Sequence, residues 1–271
     1  MSESDRAVSL SSVEDSNASE IDSEKVFQAF ERPEWYLQGT EYNIRIRAET
    51  VMAFVNENRF TSILDVGCGN GSLSLPLLKA DNHLTLLDQS KAMLGIARSR
   101  IPPQFGSRVV SINADFMDAR LSHERFDLII CVGVFAYIQR RREFIYKIRK
   151  LLRPGGSVIV ECTDGTHFIS RLIVMYHALR RWAKANQMRT VVRSSTELVR
   201  IFESVDFELY GSYRYSLPLP VMRKLMTQNL TYKAIRFLFG TPRCSRNARL
   251  GNECIYHFKL SNTKISSRIS A

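Results

Sequence analysis

Residues 63–71 read Ile-Leu-Asp-Val-Gly-Cys-Gly-Asn-Gly, a strand-like apolar run followed by a glycine-rich turn. The alternating glycines let the backbone turn tightly and let a ligand approach where a Cβ would clash. Their spacing, G-x-G-x-G, differs from the G-x-G-x-x-G of dinucleotide-binding folds. Because Asp65 precedes the turn and would repel a pyrophosphate, the stretch favours a cationic or zwitterionic ligand. The alternative is a solvated strand-end acid beside an ordinary turn.

Strand-like and helix-like segments alternate on both sides of this turn. Seven segments have the apolar pattern of β-strands: 62–66, 84–87, 109–113, 128–132, 157–162, 207–215 and 254–260. Four have the spacing or caps of helices: one from the glycine turn to about residue 80, then 90–100, 141–152 and 195–204. This alternation predicts an α/β fold with a parallel sheet covered on both faces.

An acid at the end of the second predicted strand extends the ligand prediction. Asp88 follows Gly67 by 21 residues, which is the position from which an acid hydrogen-bonds ribose hydroxyls in nucleotide-binding folds. The alternative is an acid that only stabilises the N-terminus of the next helix. The turn, the strand and the acid together predict a ligand that contains a nucleoside.

Five motifs resemble those of the class I S-adenosylmethionine-dependent methyltransferases, in particular their ubiquinone-biosynthesis-like small-molecule group. The motifs lie at residues 64–71, 87–94, 113–116, 126–134 and 152–156. The resemblance covers roughly residues 40–165 motif by motif, and 194–215 and 253–260 more loosely. It implies a Rossmann-like, doubly wound seven-stranded sheet, mostly parallel with the last strand antiparallel. It also implies S-adenosyl-L-methionine as the cofactor, and no metal.

The resemblance assigns cofactor-binding roles to residues of the glycine turn and of the strand ends. They are Asp65, Gly67, Cys68, Gly69, Gly71, Asp88, Gln89, Met93, Asp115, Phe116, Cys131, Val132 and Gly133. Asp88 would hold the ribose diol, Asp115 the adenine amino group, and Phe116 would flank the adenine ring. Two alternatives stay open: Asp115 as a turn residue, and Phe116 and Met93 as core residues.

The chain divides into three predicted parts. Residues 1–24, with seven acids and one base, are predicted to form a disordered acidic tail. Residues 25–60 form an N-terminal helical lid, in which Trp35, Tyr36 and Tyr42 would shield the sulfonium. In the same lid, Arg45 or Arg47 would bind the methionyl carboxylate. The alternative is that these aromatic residues only fasten the first helix to the sheet.

Residues 61–271 form the predicted methyltransferase domain, with cap insertions at 163–193 and 217–252. Both insertions combine apolar and basic side chains, so we expect them to surround a hydrophobic acceptor. The apolar candidates are Met175, Tyr176, Leu217, Met222, Met226, Tyr232, Phe237 and Phe239.

Catalytic candidates lie just past the fifth predicted strand, because ligands of open α/β sheets bind outside the carboxyl ends of the strands. His167, with an ordinary pKa of about 6.5, is the first candidate base, and Asp164 is the second or its orienting partner. A histidine without chemistry is the alternative. Methyl transfer depends mainly on alignment and needs a base only if the acceptor loses a proton. We expect transfer to oxygen (or nitrogen) of a small hydrophobic acceptor, such as a secondary metabolite or a lipid-like precursor.

The net positive charge of the chain leaves two other functions open. The chain carries +11 overall, and because residues 1–24 carry −6, the remainder carries +17 and attracts anionic partners. An RNA methyltransferase is one reading, although no Asn-Pro-Pro-Tyr-like tetrapeptide follows the fourth predicted strand, which argues against nucleic acid. The other is a membrane- or partner-docking protein, since residues 221–239 interleave bases with apolar residues like an interfacial helix. The oligomeric state stays open.

The cysteines and the apolar runs indicate the cellular compartment. The five cysteines have no C-x-x-C spacing, which favours a reducing environment. The N-terminus lacks the basic-then-apolar order of a signal peptide. The apolar stretch 128–139 has 12 residues, fewer than the ~20 that cross a bilayer. We therefore expect a cytoplasmic protein.

Overall fold

The computed structural model describes residues 31–55, 59–121, 125–181, 194–216 and 226–262. These residues contain six α-helices, the seven strands of the main sheet, and a separate pair of two-residue strands at Gly240–Thr241 and Cys244–Ser245. Helices α1–α6 span Pro33–Val55, Lys91–Ser99, Arg141–Leu151, Phe168–Arg181, Ser195–Glu203 and Gln228–Phe239. Strands β1–β7 span Ser62–Val66, His83–Asp88, Val109–Asn113, Phe126–Cys131, Leu152–Thr163, Phe207–Tyr215 and Glu253–Leu260. The predicted acidic tail, Leu217 and Met222 lie outside the described residues, as do the side chains of Trp35, Tyr36 and Tyr176.

Strands β1–β7 form the main sheet, in the order β3-β2-β1-β4-β5-β7-β6. Neighbours from β3 to β5 are parallel, whereas β7 runs antiparallel to both β5 and β6. The strand order reverses between β1 and β4, and such a switch point opens a crevice at the carboxyl ends of the strands. The predicted doubly wound sheet with an antiparallel last strand is confirmed.

The two faces of the sheet carry separate apolar cores. On one face Leu64 and Ile129 pack with Phe144 of α3 and Phe202 of α5. On the other face Ile63 packs with residues of α1, α2 and α6. The central strands are therefore buried on both sides, which explains why their sequences are continuous apolar runs.

The helix predicted from the glycine turn to residue 80 is wrong. Only a short 3₁₀ turn, Leu75–Leu77, follows the glycines, and Pro76 stands in it. The backbone N–H of Ser72 donates to the Asn70 side chain, 3.2 Å away, so the loop satisfies this donor outside a helical ladder. Proline also lacks an N–H and disfavours a continuing helix.

One strand boundary also differs from the prediction. β5 begins at Leu152, five residues before the predicted start, because the chain resumes pairing with β4 at once. The pairing is irregular between Phe126 and Leu128, and such irregularities accommodate a proline and glycines within a strand. The remaining predicted strands and helices agree with the structure to within about two residues.

Helix α1 lies on the sheet face that also holds α6. Tyr42, Ile46 and Val51 are buried in that core. Arg236 of α6 is ion-paired with Glu49 of α1 at 2.5 Å. For Tyr42 the structure favours the fastening role over the predicted shield for a sulfonium. Within the described residues, no helix combines the length and the apolar character needed to cross a membrane.

Candidate functional site

A cavity of about 400 Å³ opens at the carboxyl ends of β1–β4, where the strand order reverses. Nine residues predicted to bind the cofactor line it: Gly67, Gly69, Asp88, Gln89, Met93, Asp115, Phe116, Val132 and Gly133. Further lining residues are Val66, Leu87, Ala114, Met117, Asp118, Val134, Tyr137, Ile138, Gln139, Arg140 and Phe144. All of them precede residue 145, so the described parts of the two predicted cap insertions do not line this cavity.

The glycine turn is tied to the end of β2. The backbone N–H groups of Gly67 and Cys68 donate to the Leu87 carbonyl at 2.8 and 3.1 Å. Gly67 has a φ of +65°, and a Cβ there would lie 2.3 Å from a methyl carbon of Val134. Gly69 has a φ of +53°, but a Cβ there would meet no atom within 4 Å. The turn therefore closes on the protein at Gly67 and leaves space beside Gly69.

Asp88 lies between this turn and helix α2. Its Oδ2 accepts from the Gly69 N–H at 2.7 Å and its Oδ1 from the Ser90 N–H at 2.8 Å. Burial raises the pKa of Asp88, while these two backbone donors act to lower it and the charge of Glu31 adds to the rise. A carboxylate oxygen has two lone pairs, so each still has capacity for a ligand hydroxyl.

The loop after β3 forms the next wall. Asp115 accepts from the Met117 N–H at 2.6 Å and from the Gln89 side-chain amide. The ring of Phe116 packs against Phe144, with centroids 4.7 Å apart. This arrangement places an acid and an aromatic ring side by side at the cavity, as the resemblance implies for an adenine.

Lys147 of α3 fixes that loop, and sequence reasoning missed it. Its Nζ donates to the carbonyls of Phe116, Met117 and Ala119 at 2.5, 2.9 and 2.8 Å. Burial lowers the pKa of Lys147, and the charges of two nearby acids of the loop oppose the change. Because a lysine within a basic helix resembles any solvated surface residue, the sequence contains no signal for this role.

The cavity is acidic. Asp88, Asp115 and Asp118 line it together with one guanidinium, that of Arg140. Asp65 lies at the end of β1 and is 2% exposed, and its Oδ2 has no hydrogen-bond partner among the described residues. Burial raises the pKa of Asp65 to about 7, the Ser74 hydroxyl opposes this rise, and the charge of Asp88 adds to it. Such surroundings suit a cation better than a pyrophosphate.

Several predicted cofactor residues lie outside the cavity lining. The thiols of Cys68 and Cys131 are buried, which raises the pKa of both. Gly71 abuts Leu75, since a Cβ there would lie 2.7 Å from a leucine methyl carbon. Asp65 and Tyr42 are also absent from the lining. Direct contacts of these residues with a cofactor stay predictions.

Arg47 forms an ion pair that the sequence analysis did not predict. Its Nε and Nη2 lie 2.9 and 2.6 Å from the two carboxylate oxygens of Glu161 on β5. Its Nη1 lies 3.2 Å from where a Cβ of Gly133 would stand. The guanidinium therefore reaches the cavity wall while its other edge is held by Glu161. Its predicted pairing with a methionyl carboxylate stays a prediction.

Glu161 belongs to a buried polar cluster that also escaped the sequence analysis. The Tyr215 hydroxyl lies 3.0 Å from Glu161 and 2.8 Å from the Asn43 side-chain oxygen. Glu253 accepts from the Thr163 hydroxyl at 2.9 Å. Burial, and then the neighbouring Glu161, raise the pKa of Glu253 to about 8. The position of Glu161 within the apolar run of β5 could have indicated this cluster, because a buried acid needs polar partners.

Asp164, a predicted catalytic residue, is engaged by protein groups. It accepts from the hydroxyls of Ser195 and Thr166 at 2.6 and 2.7 Å and pairs with Arg214 at 2.8 Å. Burial acts to raise the pKa of Asp164, but these bonds and the arginine charge together lower it. Asp164 lies outside the cavity lining, and this bonding fits a structural role.

His167 is engaged in the same way. Its Nε2 lies 2.9 Å from the Arg249 carbonyl, and its Nδ1 accepts from the Ile169 N–H at 3.3 Å. These partners assign the proton to Nε2 and leave no ring nitrogen without a partner. His167 is also absent from the cavity lining. General-base catalysis by Asp164 or His167 stays a prediction that this geometry does not support.

Comparison with known proteins agrees with this geometry. Residues 64–158 match the family model of a methyltransferase domain. The mitochondrial ubiquinone biosynthesis O-methyltransferase of Schizosaccharomyces pombe is 24% identical over 158 residues, 54% of this chain and 57% of that protein. The matched regions span 41% to 66% of the first curated relatives' own lengths, which is about half.

Two solved structures share the fold. A methyltransferase from Thermotoga maritima, described as a possible histamine N-methyltransferase, has a TM-score of 0.60 and 16% identity, and the match covers 86% of this chain and 98% of that one. The N-methyltransferase NodS of Bradyrhizobium japonicum, bound to S-adenosyl-L-homocysteine, has a TM-score of 0.55 and 16% identity, with 86% and 97% covered. At such identities the likeness shows the fold alone. Residues 64–158 nevertheless match a methyltransferase domain, and in this part the chain is similar to the class I S-adenosylmethionine-dependent methyltransferases.

Proposed function

We propose that this protein binds S-adenosyl-L-methionine in the cavity at β1–β4 and transfers its methyl group to an oxygen of a small, hydrophobic organic acceptor. The observation that carries the proposal is an acidic cavity at the switch point, bounded by a glycine turn and by Asp88 at the end of β2. S-adenosyl-L-methionine carries a sulfonium and an ammonium group, so the three lining carboxylates attract it.

The residues present fit this cofactor. The space beside Gly69, where a Cβ would meet no neighbouring atom, accepts a ligand close to the backbone. Asp88 has lone pairs left for the ribose hydroxyls, and Asp115 with Phe116 would hold the adenine. Gly133 and the Nη1 of Arg47 lie where β4 ends, on the side left for the methionyl group. When bound, the cofactor supplies an electrophilic methyl group.

The contribution of the chain to catalysis is mainly alignment. Methyl transfer is an in-line displacement, so the fixed walls of the cavity would contribute by orienting the acceptor toward the methyl group of the cofactor. Val134 and Tyr137 follow β4 directly and line the cavity. We expect the acceptor to enter beside these two side chains. Ile138, which also lines the cavity after β4, adds apolar surface there.

Two observations support a hydrophobic acceptor and an oxygen atom. Apolar side chains such as Val134 and Ile138 contribute to the cavity wall after β4, and an apolar wall binds an apolar ligand. The Schizosaccharomyces pombe relative is named an O-methyltransferase of ubiquinone biosynthesis. A hydroxylated aromatic compound with an apolar tail fits both observations.

The proposal is tested with methyl-labelled S-adenosyl-L-methionine and three acceptors: an alkyl-substituted catechol, the corresponding alkyl aniline, and a transcribed RNA. We expect label in the organic extract of the catechol reaction, in a product whose mass exceeds that of the catechol by one methylene. The Asp88→Ala variant should form less of this product. Transfer to RNA alone, or equal turnover by Asp88→Ala, would contradict the proposal.

A further inference from the structure

Helix α4 presents apolar side chains to solvent along one stripe. Phe168, Leu172 and Met175 are 52%, 45% and 54% exposed and are spaced at i, i+4 and i+7, which places them on one helix face. Arg171, also exposed, lies on the same face. The opposite side of the helix is anchored, since the buried Ser170 donates to the Asp164 carbonyl at 2.6 Å.

Helix α6 and the turn that follows it present a second set of exposed side chains. Phe237 and Leu238 are 77% and 50% exposed at the end of α6, and Leu250 is 49% exposed. Arg246 and Arg249 between them are exposed as well. The buried residues of α6, such as Ile235 and Phe239, face the core, so the exposed residues belong to the outer side of the helix.

Hydrogen bonds place these two sets beside one another. The His167 ring, at the start of α4, contacts the Arg249 carbonyl at 2.9 Å. The Asn247 side chain donates to the Leu238 carbonyl at 2.7 Å, and the Arg246 N–H donates to the Phe239 carbonyl at 2.9 Å. Residues 168–175 and 237–250 thus form one continuous surface, which we call the basic apolar face.

The charge on this face has one sign. Residues 168–175 contain one arginine, Arg171, and no acid, and residues 237–250 contain three arginines and no acid. A second copy of the chain would bring like charges together, so self-association through this face is disfavoured. Exposed Leu, Met and Phe side chains interleaved with arginines are typical of segments that lie in a membrane interface.

We propose that the basic apolar face docks this protein on an anionic lipid bilayer. The apolar side chains would enter the boundary between headgroups and acyl chains, and the arginines would contact anionic headgroups while their stems stay apolar. α4 begins where β5 ends, at the same edge of the sheet as the cavity. The inference goes beyond the proposed function and does not depend on it, since it rests on exposure and charge alone.

Flotation of the full chain with lipid vesicles tests the proposal. We expect binding to vesicles of phosphatidylcholine mixed with phosphatidylglycerol, weak binding to phosphatidylcholine alone, and release by salt. Arg246→Glu with Arg249→Glu removes two basic contacts, and each such contact contributes roughly fivefold in affinity. Phe237→Ser with Leu238→Ser should reduce binding by at least about tenfold, because this pair removes apolar insertion.

Matched controls exchange exposed residues of the same kinds elsewhere on the molecule. Lys79→Glu with Lys150→Glu changes the net charge equally, and Tyr146→Ser removes an exposed aromatic ring of α3. Both should bind the mixed vesicles like the unaltered protein, and unchanged melting temperatures would show that all variants fold. Equal losses in controls and face variants would overturn the proposal. The proposal would also be overturned if the protein failed to bind vesicles but bound RNA through the same arginines.

Discussion

The backbone N–H of Gly69 donates to the Oδ2 of Asp88 at 2.7 Å, which joins the glycine turn after β1 to the end of β2. One bond thus fixes both the loop that a ligand must approach and the carboxylate that would hold its ribose. The other oxygen of Asp88 accepts from the Ser90 N–H at the start of α2. The carboxylate is therefore held in place by both the sheet and the helix.

Gly67 and Gly69 should respond differently to alanine. A Cβ at Gly67 would lie 2.3 Å from Val134, whereas one at Gly69 meets open space. Both residues have positive φ, so each substitution costs about 1–2 kcal/mol of backbone strain, and Gly67→Ala adds a clash. Thermal denaturation should show the larger loss for Gly67→Ala. The reverse order would mean that the turn is not closed against Val134.

Lys147→Met should weaken both the loop after β3 and ligand binding. The change leaves three loop carbonyls without their ammonium donor, and charged hydrogen bonds contribute roughly 1.5–3 kcal/mol each at most. We expect a lower melting temperature and a lower affinity for S-adenosyl-L-homocysteine. Lys150→Met, an exposed neighbour on α3, is the control. Identical behaviour of the two variants would exclude the positioning role.

Asp65→Asn should gain stability relative to the unaltered protein as pH rises. Burial raises the pKa of Asp65 from its ordinary value of 3.8 to about 7, so between these values the folded state holds a proton that the unfolded state has released. Stability of the unaltered protein therefore falls across this window, and asparagine removes that fall.

The measurement is urea unfolding of both proteins at several pH values. The difference in unfolding free energy should move in favour of Asp65→Asn by about 1–3 kcal/mol between about pH 5 and about pH 8. Glu253, whose raised pKa lies near 8, titrates in both proteins, so it cancels in the comparison. A difference that does not vary with pH would show that Asp65 is ionised throughout.

His167→Gln should change turnover by less than about tenfold, whereas removing a true general base costs 10²–10⁴-fold. Both ring nitrogens of His167 contact backbone groups of the protein, and the residue does not line the cavity. Single-turnover rates at saturating cofactor, with the acceptor identified, give the answer. A loss of a hundredfold at unchanged cofactor affinity would restore His167 as the base.

The sequence predicted the sheet and the cavity because both depend on local patterns. Apolar strands, alternating glycines and an acid at fixed spacing lie within a few dozen residues, and Gly69 and Asp88 indeed meet. Contacts between distant segments carried no such pattern. The pairing of Arg47 with Glu161 joins residues 114 positions apart. Neither local sequence predicts which residue the other partner would be.

Residues near the end of β5 show the other source of error. Asp164 and His167 lie just past the carboxyl end of β5, as predicted. Their partners Ser195, Arg214 and Arg249 come from later elements. Those contacts decide whether a polar side chain is available to a ligand. The order of the strands, β5-β7-β6, brings the later elements there, and sequence patterns did not specify that order in detail.

Titration calorimetry with S-adenosyl-L-homocysteine tests the central claim, that the cavity at β1–β4 binds the cofactor through Asp88. The account predicts saturable binding of one ligand per chain, a loss of roughly 1–3 kcal/mol in Asp88→Ala, and unchanged binding in Asp81→Ala, an exposed acid in the turn before β2. Absence of binding to the unaltered protein, or equal affinity of a folded Asp88→Ala variant, would contradict it.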